Sequence, residues 1–340
     1  MASKPAHGMA GAVGRRAAAR GFAAFALTAR SCAAVAQGST GSAWPARPLR
    51  MVVPFPAGGT TDLLARLLTD GLASRLGQPV VAENRGGAGG VVGAELAARM
   101  EPDGHNLFFA TIGSAAIIPQ MYAKLNWRPA DLLPVALFAE VPNVFCVSKS
   151  APWADLRALL AEARAHPGRL TYASSGIGSS LHLSGELLKA MGGVDILHVP
   201  FRGGSDTANE VLSGRINMGV NNLPSAIGLV RSGELRALAV TSSERSAALP
   251  EVPTAAEAAL PGYEATAWFG LQVPAGTPEA VVARLNAEAN ATLAYAPTRD
   301  RIESVGARPR GGSVQDFAEF IRAENVKWAD VVRRAGMRVE

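Results

Sequence analysis

Short apolar runs alternate with helix-period segments along most of this chain. Strands buried on both faces read as continuous apolar runs, and crossover helices place apolar residues three and four apart, so the rhythm points to parallel sheets covered by helices on both sides. A strand is predicted at 49–53, then a helix from Asp62 to Leu76 with Leu64, Leu67, Leu68 and Leu72 along one side. Strands follow at 80–82 and 107–110 with a helix near 92–100 between them, and 135–139 and 144–147 read as two extended segments.

The alternation then restarts: a helix from Trp153 to Ala165, a strand at 170–174, a helix from Ser179 to Met191, a strand at 196–199, a helix at 205–213, a strand at 217–220, a helix at 224–232 and a strand at 235–241. Proline and glycine cluster at Leu249-Pro250, Val252-Pro253 and Leu260-Pro261-Gly262, which marks a loop-rich return path. The strand from Trp268 to Pro274 and the helix at 278–294 echo the strand, proline and helix that begin at Val144. Crossings near 143 and 265 divide the chain into two similar α/β domains, 37–143 plus 265–340 and 144–264, with a cleft between them.

Composition narrows the classes. At 340 residues and 48% apolar the chain exceeds one comfortable core and is not largely disordered. Its net charge of +5 suggests nucleic acid until the charges are located. Five of the 33 basic residues (Lys4, Arg15, Arg16, Arg20, Arg30) fall in 1–36, which holds no acid, so the remaining 28 equal the 28 acidic residues. A nucleic-acid partner is therefore not expected. Residues 1–36 read as an export signal, with a charged start, an apolar stretch from Gly21 to Ala29 and cleavage near Ala36 at Ala34-Val35-Ala36, which gives a periplasmic protein. The general secretory route is favoured, because Ala17-Ala18-Ala19 replace the hydrophobic residues a twin-arginine signal needs. Cys32 lies in that segment, so Cys146 has no partner for a disulfide and reads as a small buried hydrophobe.

Two segments share one design, a short strand entering a glycine-rich turn that opens a helix. They are 49–53 into Pro54-Phe55-Pro56-Ala57-Gly58-Gly59-Thr60-Thr61-Asp62, and 170–174 into Ser175-Gly176-Ile177-Gly178-Ser179-Ser180. Each leaves the free N–H groups of a helix start beside small residues, which suits an anion held between two lobes. Catalytic equipment is not evident. No Gly-x-Ser-x-Gly elbow occurs, and the glycine loop at 86–90 carries Val92 where a dinucleotide fingerprint needs glycine. Histidines are scattered without metal-ligand spacing, so no metal and no cofactor is expected.

Ligands of open α/β sheets sit outside the carboxyl ends of strands. Gly58, Gly59, Thr60, Thr61, Thr111, Gly113, Ser114, Ser174, Ser175, Gly178, Ser179, Ser180, Asn221 and Asn222 all fall at such ends. Any one of these loops alone is an ordinary turn or cap, and it is the pairing of two matched loops with export that favours binding. Asp62 is expected to cap its helix and shape the preceding loop, and Arg202 is a candidate ion-pair donor in the cleft.

These residues resemble the periplasmic solute-binding receptors of tripartite tricarboxylate transporters, the Bug receptors. The motifs are Val53 to Asp62, Glu83-Asn84-Arg85-Gly86-Gly87-Ala88-Gly89-Gly90, Tyr172 to Gly178, His198-Val199-Pro200-Phe201-Arg202-Gly203, Asn222-Leu223-Pro224-Ser225-Ala226, Arg236 to Thr241, Leu260-Pro261-Gly262-Tyr263-Glu264 and Val273-Pro274-Ala275-Gly276-Thr277-Pro278. They run in order from about residue 45 to the end. The resemblance implies a two-lobed, type II periplasmic-binding-protein fold that closes on a small carboxylated solute. The first turn would hold a carboxylate and the second the ligand's other end, which places Pro56, Ala57, Asp62 and Phe201 beside the residues above as ligand-binding. The implied partners are a large and a small membrane subunit, with the receptor itself a monomer. Asn221 stands where many members carry an acid, an argument against an amine-bearing ligand, and His105 replaces a usual tyrosine. Two alternatives stay open: an enzyme acting on a small carboxylate with His182 or His198 as base, and a receptor that presents its ligand to a membrane sensor kinase.

Overall fold

The computed structural model describes residues 44–334 and Met337. The export signal expected at 1–36 and the ends of the first domain at 37–43 and 338–340 lie outside the described residues. β1 (Leu49–Val53) runs parallel between β2 (Val80–Asn84) and β3 (Asn106–Thr111). The crossovers are α1 (Thr60–Leu76) and α2 (Val91–Ala98). After β3 the chain makes a short π-helical turn, Gly113–Ile117, and continues as α3 (Ile118–Met121), a piece that period counting does not reveal.

The two extended segments expected at 135–139 and 144–147 are one strand, β4 (Leu132–Ser148), 17 residues long. Pro142 ends neither piece, because the strand changes partners there. Leu132 to Pro142 pairs antiparallel with β9 (Thr266–Pro274), which continues to β3. Asn143 to Ser148 pairs with β7 (Met218–Asn222) on one side and β8 (Leu235–Val240) on the other. Asn143, fully buried at this switch, receives the Asn222 amide at 2.6 Å and donates to Ser184 Oγ at 2.8 Å, while Thr241 Oγ1 accepts its N–H at 2.8 Å. A buried amide with every group satisfied fixes where the strand turns from one sheet to the next.

The second group of strands is built in the same way. α4 (Leu156–Ala165) starts three residues later than expected, because Asp155 accepts the Ala158 N–H at 2.8 Å and sets the cap there. β5 (Thr171–Ser174) runs parallel to β6 (Leu197–Pro200) and β7, with α5 (Ser180–Gly192), α6 (Gly204–Leu212) and α7 (Leu223–Arg231) as connections. α8 (Ala255–Ala258) lies on the return path.

Past β9 come α9 (Glu279–Ala294), α10 (Ala296–Ser304), β10 (Arg308–Pro309) and α11 (Val314–Arg334). α11 seals the back of the first sheet through Phe317 and Trp328, and Glu324 accepts the indole N–H of both Trp268 and Trp328, at 3.0 and 2.8 Å. Gly270 in β9 makes room for this helix, since a Cβ there would sit 2.3 Å from the Phe317 ring. Truncating a buried Phe of this kind costs about 3–5 kcal/mol.

Candidate functional site

The carboxyl ends of β1, β3, β5 and β7 open on one cavity of about 70 Å³ between the two groups of strands. Four helices start at its wall. α1 contributes Gly59, Thr60 and Thr61; α5 contributes Ser179 and Ser180; α6 contributes Gly203 to Asp206; and α7 contributes Asn222 and Ser225. The first N–H groups of a helix have no intrahelical partner, and those of α1, α6 and α7 receive no bond from the side chain of their own cap residue, although the Thr60 N–H donates to Ser225 Oγ. Small residues, hydroxyls and peptide dipoles thus make the wall receptive to an anion although no Lys, Arg or His lines it. Phe55, Ile112 and Phe269 supply the apolar part.

The first turn is built around Asp62. Gly58 adopts φ +84°, which glycine reaches without strain, and its N–H donates to Asp62 Oδ2 at 3.0 Å. Asn84 Nδ2 and Arg66 Nε add bonds of 3.0 Å each. Burial alone pushes the Asp62 carboxyl up, but the donors Arg66, Gly58 and Asn84 outweigh it and hold the group below the usual carboxylate range. Asp62 shapes the loop and stays outside the cavity wall.

A stack of rings supports the second turn. Ser174 Oγ accepts the Gly176 N–H at 3.2 Å and meets His198 Nε2 at 2.7 Å, while Ser179 Oγ accepts the His182 N–H at 3.2 Å and donates to the Gly176 carbonyl at 2.7 Å. His182 Nδ1 accepts the Gly178 N–H at 3.4 Å. The His182 and His198 rings stack at 4.3 Å, His198 stacks on Tyr172 at 4.8 Å, and Tyr172 donates to Glu186, itself paired with Lys189. Burial pushes His182 down to about 4, helped by Lys189, and His198 down to about 3, helped by His182. Both imidazoles are therefore neutral supports behind the turn, and neither lines the cavity as a base would have to.

Both rims of the cavity are in contact. On one, Thr60 N–H and Oγ1 meet Ser225 Oγ at 3.1 and 2.5 Å, and Ser205 Oγ donates to the Gly58 carbonyl at 3.3 Å. On the other, backbone lies on backbone: a Cβ at Gly89 would stand 1.9 Å from the Ile177 carbonyl oxygen, one at Gly113 2.9 Å from that of Gly178, and one at Gly176 3.2 Å from the Gly89 nitrogen. The two lobes are closed on each other.

Of the residues expected at the site, Pro56, Ala57, Gly59, Thr60, Thr61, Thr111, Ser175, Ser179, Ser180 and Asn222 come together in the cavity wall. Gly58, Asp62, Ser174 and Gly178 lie just behind it as turn scaffold, and Ser114 exchanges bonds with Thr111, at 3.1 Å from the Thr111 N–H. Phe201 and Arg202 border an adjoining outer recess, where Arg202 has no carboxylate partner among the described residues. Asn221 is fully buried and turns its amide to Cys146 Sγ at 3.3 Å, because alternate strand residues face opposite sides and Asn222 takes the cavity side. The argument drawn from Asn221 against an amine-bearing ligand therefore loses its basis. The α6 start and Ser225 were missed, although Gly203-Gly204-Ser205-Asp206 repeats the pattern Gly59-Thr60-Thr61-Asp62 and signals the same kind of helix entry.

Two α/β lobes closed over a cavity of helix starts, hydroxyls and apolar side chains define a two-lobed solute-binding receptor. Residues 64–337 match the tripartite tricarboxylate transporter family receptor, and the chain belongs to that family. It is 35% identical to the protein BugT of Bordetella pertussis over 313 residues, 91% of this chain and 95% of that one. Among solved structures it is similar to Rpa4515 of R. palustris with adipate, at 39% identity and TM-score 0.84 over 87% of this chain and 99% of that one. It is also similar to MatC of Rhodopseudomonas palustris with bound malate, at 36% identity and TM-score 0.81 over 85% and 99% of the two chains. The protein is a receptor of the periplasmic-binding-protein fold and not an enzyme.

Proposed function

We propose that this receptor is exported to the periplasm, with its signal cleaved near Ala36, captures a small carboxylate in the cavity between its lobes, and delivers it as a monomer to the large and small membrane subunits of a tripartite tricarboxylate transporter. The observation that carries the reading is the wall itself: four helix starts converge on it, three of them without a bond from the side chain of their own cap residue, and no cationic side chain is present to do their work. The adipate with Rpa4515 and the malate bound to MatC support the same chemistry. No described helix is long and apolar enough to cross a membrane.

Within this reading the lobes are 37–143 plus 265–340 and 144–264, divided where β4 changes partners at Asn143. The contacting residues are those of the first and second turns with Thr111 and Asn222, joined by Ser205 and Ser225. A thermal-shift screen of mono-, di- and tricarboxylates, amino acids and aromatic acids tests it, because a ligand that binds only the folded state raises the melting temperature. Gly59→Leu is the control. Its backbone φ of −92° suits any residue and a Cβ there meets nothing within 4 Å, so the side chain would fill the cavity without disturbing the fold. Stabilisation by a carboxylate that Gly59→Leu abolishes supports the reading; stabilisation that survives the substitution places the ligand elsewhere.

A further inference from the structure

Two helices at the cavity carry an aspartate in the same place and treat it in opposite ways. In α1, Gly59-Thr60-Thr61-Asp62 sets Asp62 third in the helix, and in α6, Gly203-Gly204-Ser205-Asp206 sets Asp206 third. Asp62 is buried, paired with Arg66, bonded to Gly58 and Asn84, and held out of the wall. Asp206 is exposed, has no ion pair or side-chain hydrogen bond among the described residues, and forms part of both the cavity wall and the outer recess beside it. It is the one residue of formal charge among those lining the cavity. Arg202, one turn earlier, borders the outer recess only.

A first-turn aspartate is favourable for its own helix, and because Asp206 is exposed, water serves it in place of a counterion; what singles it out is its place in the cavity wall. Its presence also answers the α6 helix start from within, so that α1, α5 and α7 remain as seats for a ligand anion. An exposed acid at the cavity wall repels a second carboxylate, more weakly than a buried one would, and accepts a hydrogen bond from a hydroxyl or an ammonium group.

We propose that Asp206 determines specificity: the ligand presents its carboxylate to the starts of α1, α5 and α7, and a hydrogen-bond donor, hydroxyl or ammonium, toward α6. This rests on the carboxylate reading of the cavity and narrows it to hydroxy- and amino-carboxylates over plain diacids.

Calorimetric titration of the purified chain with hexanoate, ε-hydroxyhexanoate, ε-aminohexanoate and adipate, matched in length, tests it. The wild type is expected to bind one of the two donor-ended acids at least about tenfold more tightly than adipate, and Asp206→Asn to bring adipate within about threefold of that acid. Because Asp206 is exposed and bonded to nothing, the variant should fold, and its circular dichroism and melting temperature verify this. Adipate bound as tightly as the donor-ended acids by the wild type, or ratios unchanged in Asp206→Asn, overturns the assignment of Asp206 while leaving the receptor reading intact. No binding of any of the four overturns the carboxylate reading and this inference with it.

Discussion

The hydroxyl of Thr60 lies 2.5 Å from that of Ser225, 165 residues along the chain, and the Thr60 N–H reaches the same oxygen at 3.1 Å. One partner starts a helix in the lobe of β1 and the other lies in the first turn of α7, so this pair ties lobe to lobe across the cavity mouth.

Ser225→Ala removes both bonds and leaves the packing of each lobe alone. A hydrogen bond of this kind is worth about 0.5–1.5 kcal/mol, so with two of them lost ligand affinity is expected to fall about fivefold to a hundredfold. The melting temperature of the ligand-free protein should stay within about a degree, since the bonds belong to closure. Calorimetric titration beside thermal denaturation separates the two, and a large loss of intrinsic stability with unchanged affinity contradicts this role.

Gly89→Ala acts on the opposite rim. Gly89 has φ +66°, and the added Cβ would meet the Ile177 carbonyl oxygen at 1.9 Å, a contact that only separation of the lobes relieves. Left-handed backbone costs a non-glycine residue about 1–2 kcal/mol, a modest loss of stability. Affinity, by contrast, should drop at least about a hundredfold, because a ligand's binding energy must now oppose a steric clash. Small-angle scattering with and without ligand checks the cause: the variant should not compact.

Acid should loosen the second turn. The imidazoles of His182 and His198 lie near 6.5 when unfolded and at about 4 and about 3 when folded, so as pH falls the unfolded chain takes up protons first. Their contribution is complete above about pH 6.5 and is lost progressively toward the folded values, on the order of 3 kcal/mol from His182 alone. Thermal denaturation from neutral to mildly acidic pH should show a melting temperature falling by several degrees, with a shallower slope in His182→Gln. Equal slopes in the two proteins would dissociate the ring stack from the acid response.

Asp62→Ala should be costly out of proportion to its distance from the cavity. It strands the Gly58 N–H and one N–H of the Asn84 amide, whose other bond goes to the Phe55 carbonyl, and bonds to a charged acceptor are worth about 1.5–3 kcal/mol each. The loop at 54–59 then loses its shape, so affinity is expected to fall at least tenfold with a drop of a few degrees in melting temperature. Asp62→Asn, which keeps an acceptor, should recover part of both. Because the Asp62 carboxyl lies below its unfolded value, the same contribution should be present at neutral pH and vanish in acid.

The alternation of apolar runs and helix periods carried the strands and helices from β1 to α9, and the glycine turns at 58–59 and 176–178 marked where the cavity would lie. What stayed hidden depended on tertiary partners. β4 reads as two pieces because Pro134 and Pro142 interrupt its pattern, yet proline is tolerated where β4 changes register and partner. The π-helical turn after Thr111 has no period of its own. Asn221 and Asn222 are indistinguishable as a pair, and only the strand's facing decides which one meets the cavity. α11 did carry a signal, with Phe317, Phe320, Ile321, Trp328 and Val331 at helical spacing, and it closes the first lobe from behind.

Peptide dipoles aligned at helix ends fade within a turn or so, unlike the field of a lysine or arginine. A cavity that draws its anion in this way exerts little pull across open water, and dissolved ions have little of it to screen. Apart from the exposed Asp206, whose repulsion of an incoming anion salt weakens, capture should then proceed at much the same rate and strength in fresh water and in brine.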